Sequence, residues 1–150
     1  MVVCKAIGAI LFLLGGVALG VSVEKKYKSR VELWKEISAF LSLCQSEINS
    51  FGASIEEIVK KTRERRNEYS DMIADCIRNN TTGSEEERIL TTFIEEIKSV
   101  DSETQKTVFD RYREEIDKKI AQAEENYQKK GKAYQRLIPI LCAGIVVVIW

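Results

Sequence analysis

Residues 6–23, AIGAILFLLGGVALGVSV, carry no charged side chain, and residues 137–150, LIPILCAGIVVVIW, carry none either. All 23 acidic residues and all but one of the 23 basic residues fall between these two runs. Oily ends around a charged middle predict a chain held twice in one membrane. The middle then forms an all-α, antiparallel bundle of about five soluble helices on one side of it. As a helix, the first run of 18 residues rises about 27 Å, close to the ~30 Å hydrocarbon core. Its Gly16 and Gly20, four apart, offer a surface on which a second helix can pack closely. The second run of 14 residues rises only about 21 Å. Ala133, Tyr134, Gln135 and Arg136 extend it to spanning length, with Arg136 snorkelling to the head groups and Trp150 at the opposite interface. Pro139 falls in the first turns, where a missing backbone donor does least harm. A buried core helix or a re-entrant segment is the competing reading of this end. The expected organisation is a short extracytoplasmic segment at 1–5, a transmembrane helix at 6–23, a cytoplasmic helical domain at 24–133 and a second transmembrane helix at 134–150.

Orientation follows from lysine and arginine. Lys25, Lys26, Lys28 and Arg30 follow the first run; Lys129, Lys130, Lys132 and Arg136 precede the second. Only Lys5 lies on a distal side, so the middle is expected in the cytoplasm. A cleaved signal peptide, cut near Ala18-Leu19-Gly20, is the alternative at the N-terminus, but lysines just after the apolar run oppose translocation.

The segment 24–136 holds 22 basic and 23 acidic residues. A net charge of −1 argues against a nucleic-acid partner, which draws on a basic excess. The chain has no histidine, which removes the commonest general base and metal ligand. Cys4, Cys44, Cys76 and Cys142 show no metal spacing; Cys44 and Cys76 sit on apolar stripes and read as core residues. There is no Gly-rich phosphate loop. No catalytic residue, metal site or cofactor is expected, and the chain reads as a non-enzymatic protein that holds other proteins.

Apolar residues in the middle recur with the helical period. Trp34, Ile37, Leu41, Cys44, Ile48 and Phe51 mark a helix over about 29–50, continuous with the first membrane run. Phe51-Gly52-Ala53-Ser54 is a turn, and Ser54 with Glu57 forms a capping box for a short helix buried through Ile55, Ile58 and Val59. Tyr69, Met72, Ile73, Cys76 and Ile77 mark the next helix, and Asn79 to Gly83 a loop. Ser84 with Glu87 opens a helix lined by Ile89, Leu90, Phe93, Ile94, Ile97 and Val100. Asp101 or Ser102 caps the last, Ser102 with Gln105 forming a third box; this helix carries Val108, Tyr112, Ile116, Ile120, Ala123 and Tyr127 and runs toward the membrane, with Gly131 as a flex point. The carboxylate clusters at 85–87, 95–96 and 114–115 suit helix starts and solvated faces. The basic run Lys60, Lys61, Arg63, Arg65, Arg66 offers a docking patch for an acidic protein or anionic lipid; its bland reading is an exposed helix end.

Three stretches carry a resemblance to a known family. They are Lys5-Ala6-Ile7-Gly8-Ala9 leading into the glycine-spotted helix, Glu47-Ile48-Asn49-Ser50-Phe51 before the capped short helix, and Phe93-Ile94 through Asp101 and Gln105 to the tail KAYQRLIPILCAGIVVVIW. In order, spacing and length the chain resembles the stage III sporulation protein AB family of endospore-forming bacteria. It departs from that pattern at Ser54-Ile55, where the family has proline-leucine. It departs again at Val100, where a glycine precedes the aspartate, and at Leu137-Ile138-Pro139, where leucine-glycine enters the membrane.

The resemblance implies a fold similar to the cytoplasmic domain of the type II secretion inner-membrane F protein. It also implies residence in the mother-cell membrane around the forespore and a scaffold role in a secretion-like channel between the two cells. The partners it implies are the ATPase-like stage III sporulation protein AA, other membrane subunits and the lipid bilayer, with self-association left open. Candidate partner-binding residues are Glu47, Arg63, Arg65, Arg66, Asp101 and Gln105, although Asp101 and Gln105 equally suit a helix cap. A membrane-anchored signalling adaptor and a lipid-remodelling or pore-forming protein are the alternatives.

Overall fold

The computed structural model describes residues 2–52, 54–64, 68–79 and 83–149. Among them the chain forms six α-helices, one π-helical segment and no strand. In order these are α1 (Val2–Phe51), α2 (Ile55–Glu64), α3 (Glu68–Asn79), α4 (Glu85–Ser99), α5 (Ser102–Asn126), the π-segment Tyr127–Gly131, and α6 (Lys132–Ile149). The all-α expectation holds. Helix α1 is one helix of 50 residues, so the apolar run and the first amphipathic stripe are one element. Its N-terminal part is long and apolar enough to cross a membrane and is little buried. Loop positions 80–82, together with Arg65, Arg66 and Trp150, lie outside the described residues.

The chain divides into two compact units, one of Met1–Val31 with Ala121–Trp150 and the other of Glu32–Ile120.

The Glu32–Ile120 unit is built from the soluble stripes. Trp34, Ile37, Phe40, Leu41 and Cys44 of α1 are buried, as are Ile55 and Ile58 of α2, Ile73, Ala74 and Cys76 of α3, Ile89, Leu90, Phe93, Ile94 and Ile97 of α4, and Val108, Phe109, Tyr112 and Ile116 of α5. Phe93 is the hinge of an aromatic trio. Its ring meets Phe109 at 5.4 Å and Tyr112 at 5.2 Å, both edge to face, the arrangement that aromatic quadrupoles favour. Burial pushes the Cys44 and Cys76 thiols above their usual range, so they act as the small core residues the sequence predicts. Phe109, Thr62 and Thr91 also belong to this interior. Thr62 is admitted because its hydroxyl donates to the Ile58 carbonyl 2.9 Å away, which leaves no polar atom stranded.

Local chemistry sets the turns. Gly52 ends α1 with φ of 59°, a conformation that costs a side-chain-bearing residue, and its amide donates to the Ile48 carbonyl at 3.0 Å. Two of the three predicted capping boxes are present; at the third, the Gln105 side chain turns to the Ile97 carbonyl instead. Ser54 and Glu57 exchange bonds at 3.3 Å; Ser84 and Glu87 exchange bonds at 3.0 and 3.2 Å, and Glu87 also accepts from the Gly83 amide at 2.7 Å. Asp101, one of the two residues expected to cap α5, accepts the Thr104 amide at 3.1 Å.

In the other unit, α1 and α6 run antiparallel. A Cβ built at Gly16 would meet Cys142, and one at Gly20 would meet the Gln135 backbone. The pair singled out from sequence as a packing surface therefore receives α6. Large apolar side chains cover the outside: Ile10, Leu11, Leu14 and Leu19 on α1, and Leu137, Ile140, Leu141 and Val147 on α6. The expected flex point at Gly131 is the end of the π-segment. Gly131 is buried between Tyr27 and Tyr127, whose atoms a Cβ would approach to 3.2 and 3.0 Å. Tyr127 donates its hydroxyl to Glu24 Oε1 at 3.0 Å, and the Lys132 ammonium lies 5.5 Å over the Tyr127 ring.

Candidate partner-binding site

The six candidate residues fall into two groups. Glu47 lies in the last turns of α1, and its carboxylate is ion-paired to Lys61 of α2. The Glu47 side chain is only 14 % exposed, so this bond ties α2 to α1. Arg63, two residues on, donates to Asp75 Oδ1 of α3 at 2.8 Å and approaches Asp71 at 3.8 Å. Both partners of the Arg63–Asp75 pair are about half exposed, 49 % and 54 %, where such pairs contribute about 0–1 kcal/mol. Within the run 60–66, Lys61 and Arg63 are thus exposed cations engaged by acidic partners. They stitch α1, α2 and α3 together at the surface. Arg65 and Arg66 lie outside the described residues.

Asp101 and Gln105 serve the turn between α4 and α5. Asp101 accepts from Thr104, whose hydroxyl first and amide second hold its carboxyl below the usual aspartate range. The Gln105 amide nitrogen reaches back to the Ile97 carbonyl near the end of α4, at 3.5 Å. One side chain starts α5 and the other reaches back to the end of α4. Glu47 and Arg63 sit on the α1–α2–α3 side and Asp101 and Gln105 at the α4–α5 turn.

Sequence reasoning missed a further knot. Glu96 of α4 is ion-paired to Arg111 of α5 and accepts the Tyr112 hydroxyl at 3.0 Å. Arg111 lies 5.1 Å over the Tyr112 ring. Arg111 above all holds the Glu96 carboxyl below its usual range; burial first and Glu96 second push the Tyr112 phenol up to about 12. Lys119 of α5 pairs with Glu85 of α4, and Arg113 of α5 donates to Gln45 of α1 at 2.8 Å. The available signal was the tyrosine on the α5 apolar stripe, since a buried phenol calls for an acceptor.

The family model described as stage III sporulation protein AB matches residues 5–85 and again 69–150. No curated protein and no solved structure matches the chain.

Proposed function

The chain belongs to the stage III sporulation protein AB family, and from that premise we propose that it is a non-enzymatic membrane platform of a secretion-like channel between mother cell and forespore. Its Glu32–Ile120 unit docks the ATPase-like subunit, stage III sporulation protein AA, on the cytoplasmic side. Both ends cross the mother-cell membrane. The observation that carries this reading is the continuity of α1, in which a spanning-length apolar run and a core stripe of the soluble helices are one helix. The antiparallel partner α6 supports the second crossing, since its Leu137, Ile140, Leu141 and Val147 are all more than half exposed. Such a surface suits lipid.

The docking surface we assign is the α1–α2–α3 side, where Glu47, Lys61 and Arg63 cross-link three helices and where Arg65 and Arg66 follow in sequence. The Asp101–Gln105 turn shapes a second edge. The experiment is capture of the ATPase-like subunit by the full-length protein in detergent. Two variants are compared: R63E/R65E/R66E, and R65E/R66E, which spares the Arg63–Asp75 bond. Wild-type capture that falls in both variants supports the reading. Capture unchanged in both removes the basic run from the docking surface, and failure of the wild type to capture overturns docking. Side-specific labelling of tags at each terminus and in the 79–83 loop tests the two crossings, with both termini expected on the side opposite the loop.

A further inference from the structure

The zero net charge of the chain conceals a strong separation. The Glu32–Ile120 unit holds fourteen Lys and Arg against twenty Asp and Glu, and the other unit nine against three. One is −6 and the other +6. The excess of cations in the second is not scattered. Eight of the nine lie in the short stretches 24–30 and 127–136, whose only acidic residue is Glu24.

The antiparallel pairing of α1 with the π-segment and α6 brings these stretches to one level. Glu24 receives the Tyr127 hydroxyl, Tyr27 lies against Gly131, and Gly20 lies against Gln135. The cations therefore ring one cross-section of a helix pair. Lys25, Lys26, Lys28 and Arg30 are exposed on α1, Lys129 and Lys130 on the π-segment and Arg136 on α6. Exposed apolar residues begin on one side of this ring only, with Val21 on α1 and Leu137 on α6. Glu24 accepts the Tyr127 hydroxyl within the ring, and Lys129 is ion-paired to Glu125 one turn before it, so the ring keeps a large cationic excess over these two anions.

From this juxtaposition we propose that the ring of Lys25, Lys26, Lys28, Arg30, Lys129 and Lys130 binds anionic phospholipid head groups and concentrates them around the protein. A phosphate-rich layer directly bordering hydrocarbon is the one environment that matches a cationic belt at the rim of an apolar surface. The long side chains reach it while their methylenes stay on the apolar side. The Glu32–Ile120 unit, at −6, is repelled as a whole by the same lipids. The inference rests on the proposed insertion of both apolar ends.

The test uses full-length protein reconstituted in phosphatidylcholine bilayers with a trace of spin-labelled phosphatidylglycerol or spin-labelled phosphatidylcholine. The fraction of each label immobilised at the protein is read by electron paramagnetic resonance. Expected is a severalfold preference for the anionic label at low salt, falling toward unity as salt is added. The variant K25Q/K26Q/K129Q/K130Q should lose most of the preference while immobilising the zwitterionic label as the wild type does. A variant with equal charge change in the other unit, K35Q/K98Q/K106Q/K118Q, should keep it. Equal immobilisation of both labels by the wild type overturns the lipid preference and leaves the insertion intact. Immobilisation of neither label overturns the insertion, and the preference with it. A preference that survives in K25Q/K26Q/K129Q/K130Q overturns the assignment to this ring.

Discussion

Gly16 lies so close to Cys142 that a Cβ built on the glycine would sit 2.5 Å from the Cys142 Sγ and 3.1 Å from its Cβ. At Gly20 the nearest atoms are instead backbone, the Gln135 carbonyl oxygen at 3.2 Å and its Cα at 3.4 Å. The two glycines thus permit the same helix pairing against different obstacles. Sulfur can be removed by mutation; a main chain cannot. Gly16→Ala should destabilise the α1–α6 pair by about 1–3 kcal/mol, the usual cost of overpacking, and Cys142→Ala should recover part of that loss in the double variant. Gly20→Val should be destabilising with no relief from substitution at 135. Thermal unfolding of the full-length protein in detergent, arranged as a double-mutant cycle, checks this. Additive effects at Gly16 and Cys142 would contradict the contact.

The Tyr112–Glu96 bond predicts a pH dependence at the alkaline end. An ordinary tyrosine titrates near 10, and Tyr112 does so at about 12 in the fold. The native state therefore holds this proton more firmly than the unfolded chain. Its contribution to stability is full below about pH 10 and is lost as pH rises from 10 toward 12. Tyr112→Phe keeps the edge-to-face contact with Phe93 and loses only the hydrogen bond, at about 0.5–1.5 kcal/mol near neutrality. Its stability should fall less steeply than that of the wild type over the alkaline interval. Phe93→Ala, which empties the centre of the trio, should cost about 3–5 kcal/mol. Urea unfolding at a series of pH values measures all three, and parallel alkaline limbs for wild type and Tyr112→Phe would refute the assignment.

The helices and caps were legible because each rests on local chemistry. The α1 stripe, the two S-x-x-E boxes and Gly52 all act within one or two turns of their own position. The pairing of Gly16 and Gly20 was legible as a surface, but its occupant was not, since nothing near Gly16 in sequence points to Cys142. The partners of the basic run were hidden for a related reason. Lys61 and Arg63 look solvated on a one-helix projection, and only the arrival of Glu47 and Asp75 from other helices engages them. Phe109 was passed over because Val108 beside it already satisfied the helical period, whereas the wide α5 face buries both. The charge separation was hidden because the acidic and basic excesses cancel along the chain. It emerges once residues about a hundred apart in sequence share one unit.

Gly52 gives a prediction that depends on backbone alone. It is exposed, its φ is 59°, and a Cβ there would meet nothing within 4 Å. Gly52→Ala should therefore destabilise purely through the left-handed conformation, by about 1–2 kcal/mol. Gly52→Asn should cost less, because asparagine tolerates that region better. Equal unfolding midpoints for wild type and Gly52→Ala in urea would show that α1 ends elsewhere.

Asp101 separates a cap from a contact. Its carboxylate receives the Thr104 amide at 3.1 Å and is held in its charged form by Thr104. Asparagine offers the same acceptor at an N-cap without the charge, whereas alanine offers neither. Asp101→Asn should leave the unfolding midpoint nearly unchanged, and Asp101→Ala should lower it. If Asp101 acts on the ATPase-like subunit only by holding the α4–α5 turn, capture should follow stability, retained in Asp101→Asn and weakened in Asp101→Ala. Measuring midpoint and capture on the same preparations decides the matter. A loss of capture in Asp101→Asn with an unchanged midpoint would place the carboxylate itself in the interface.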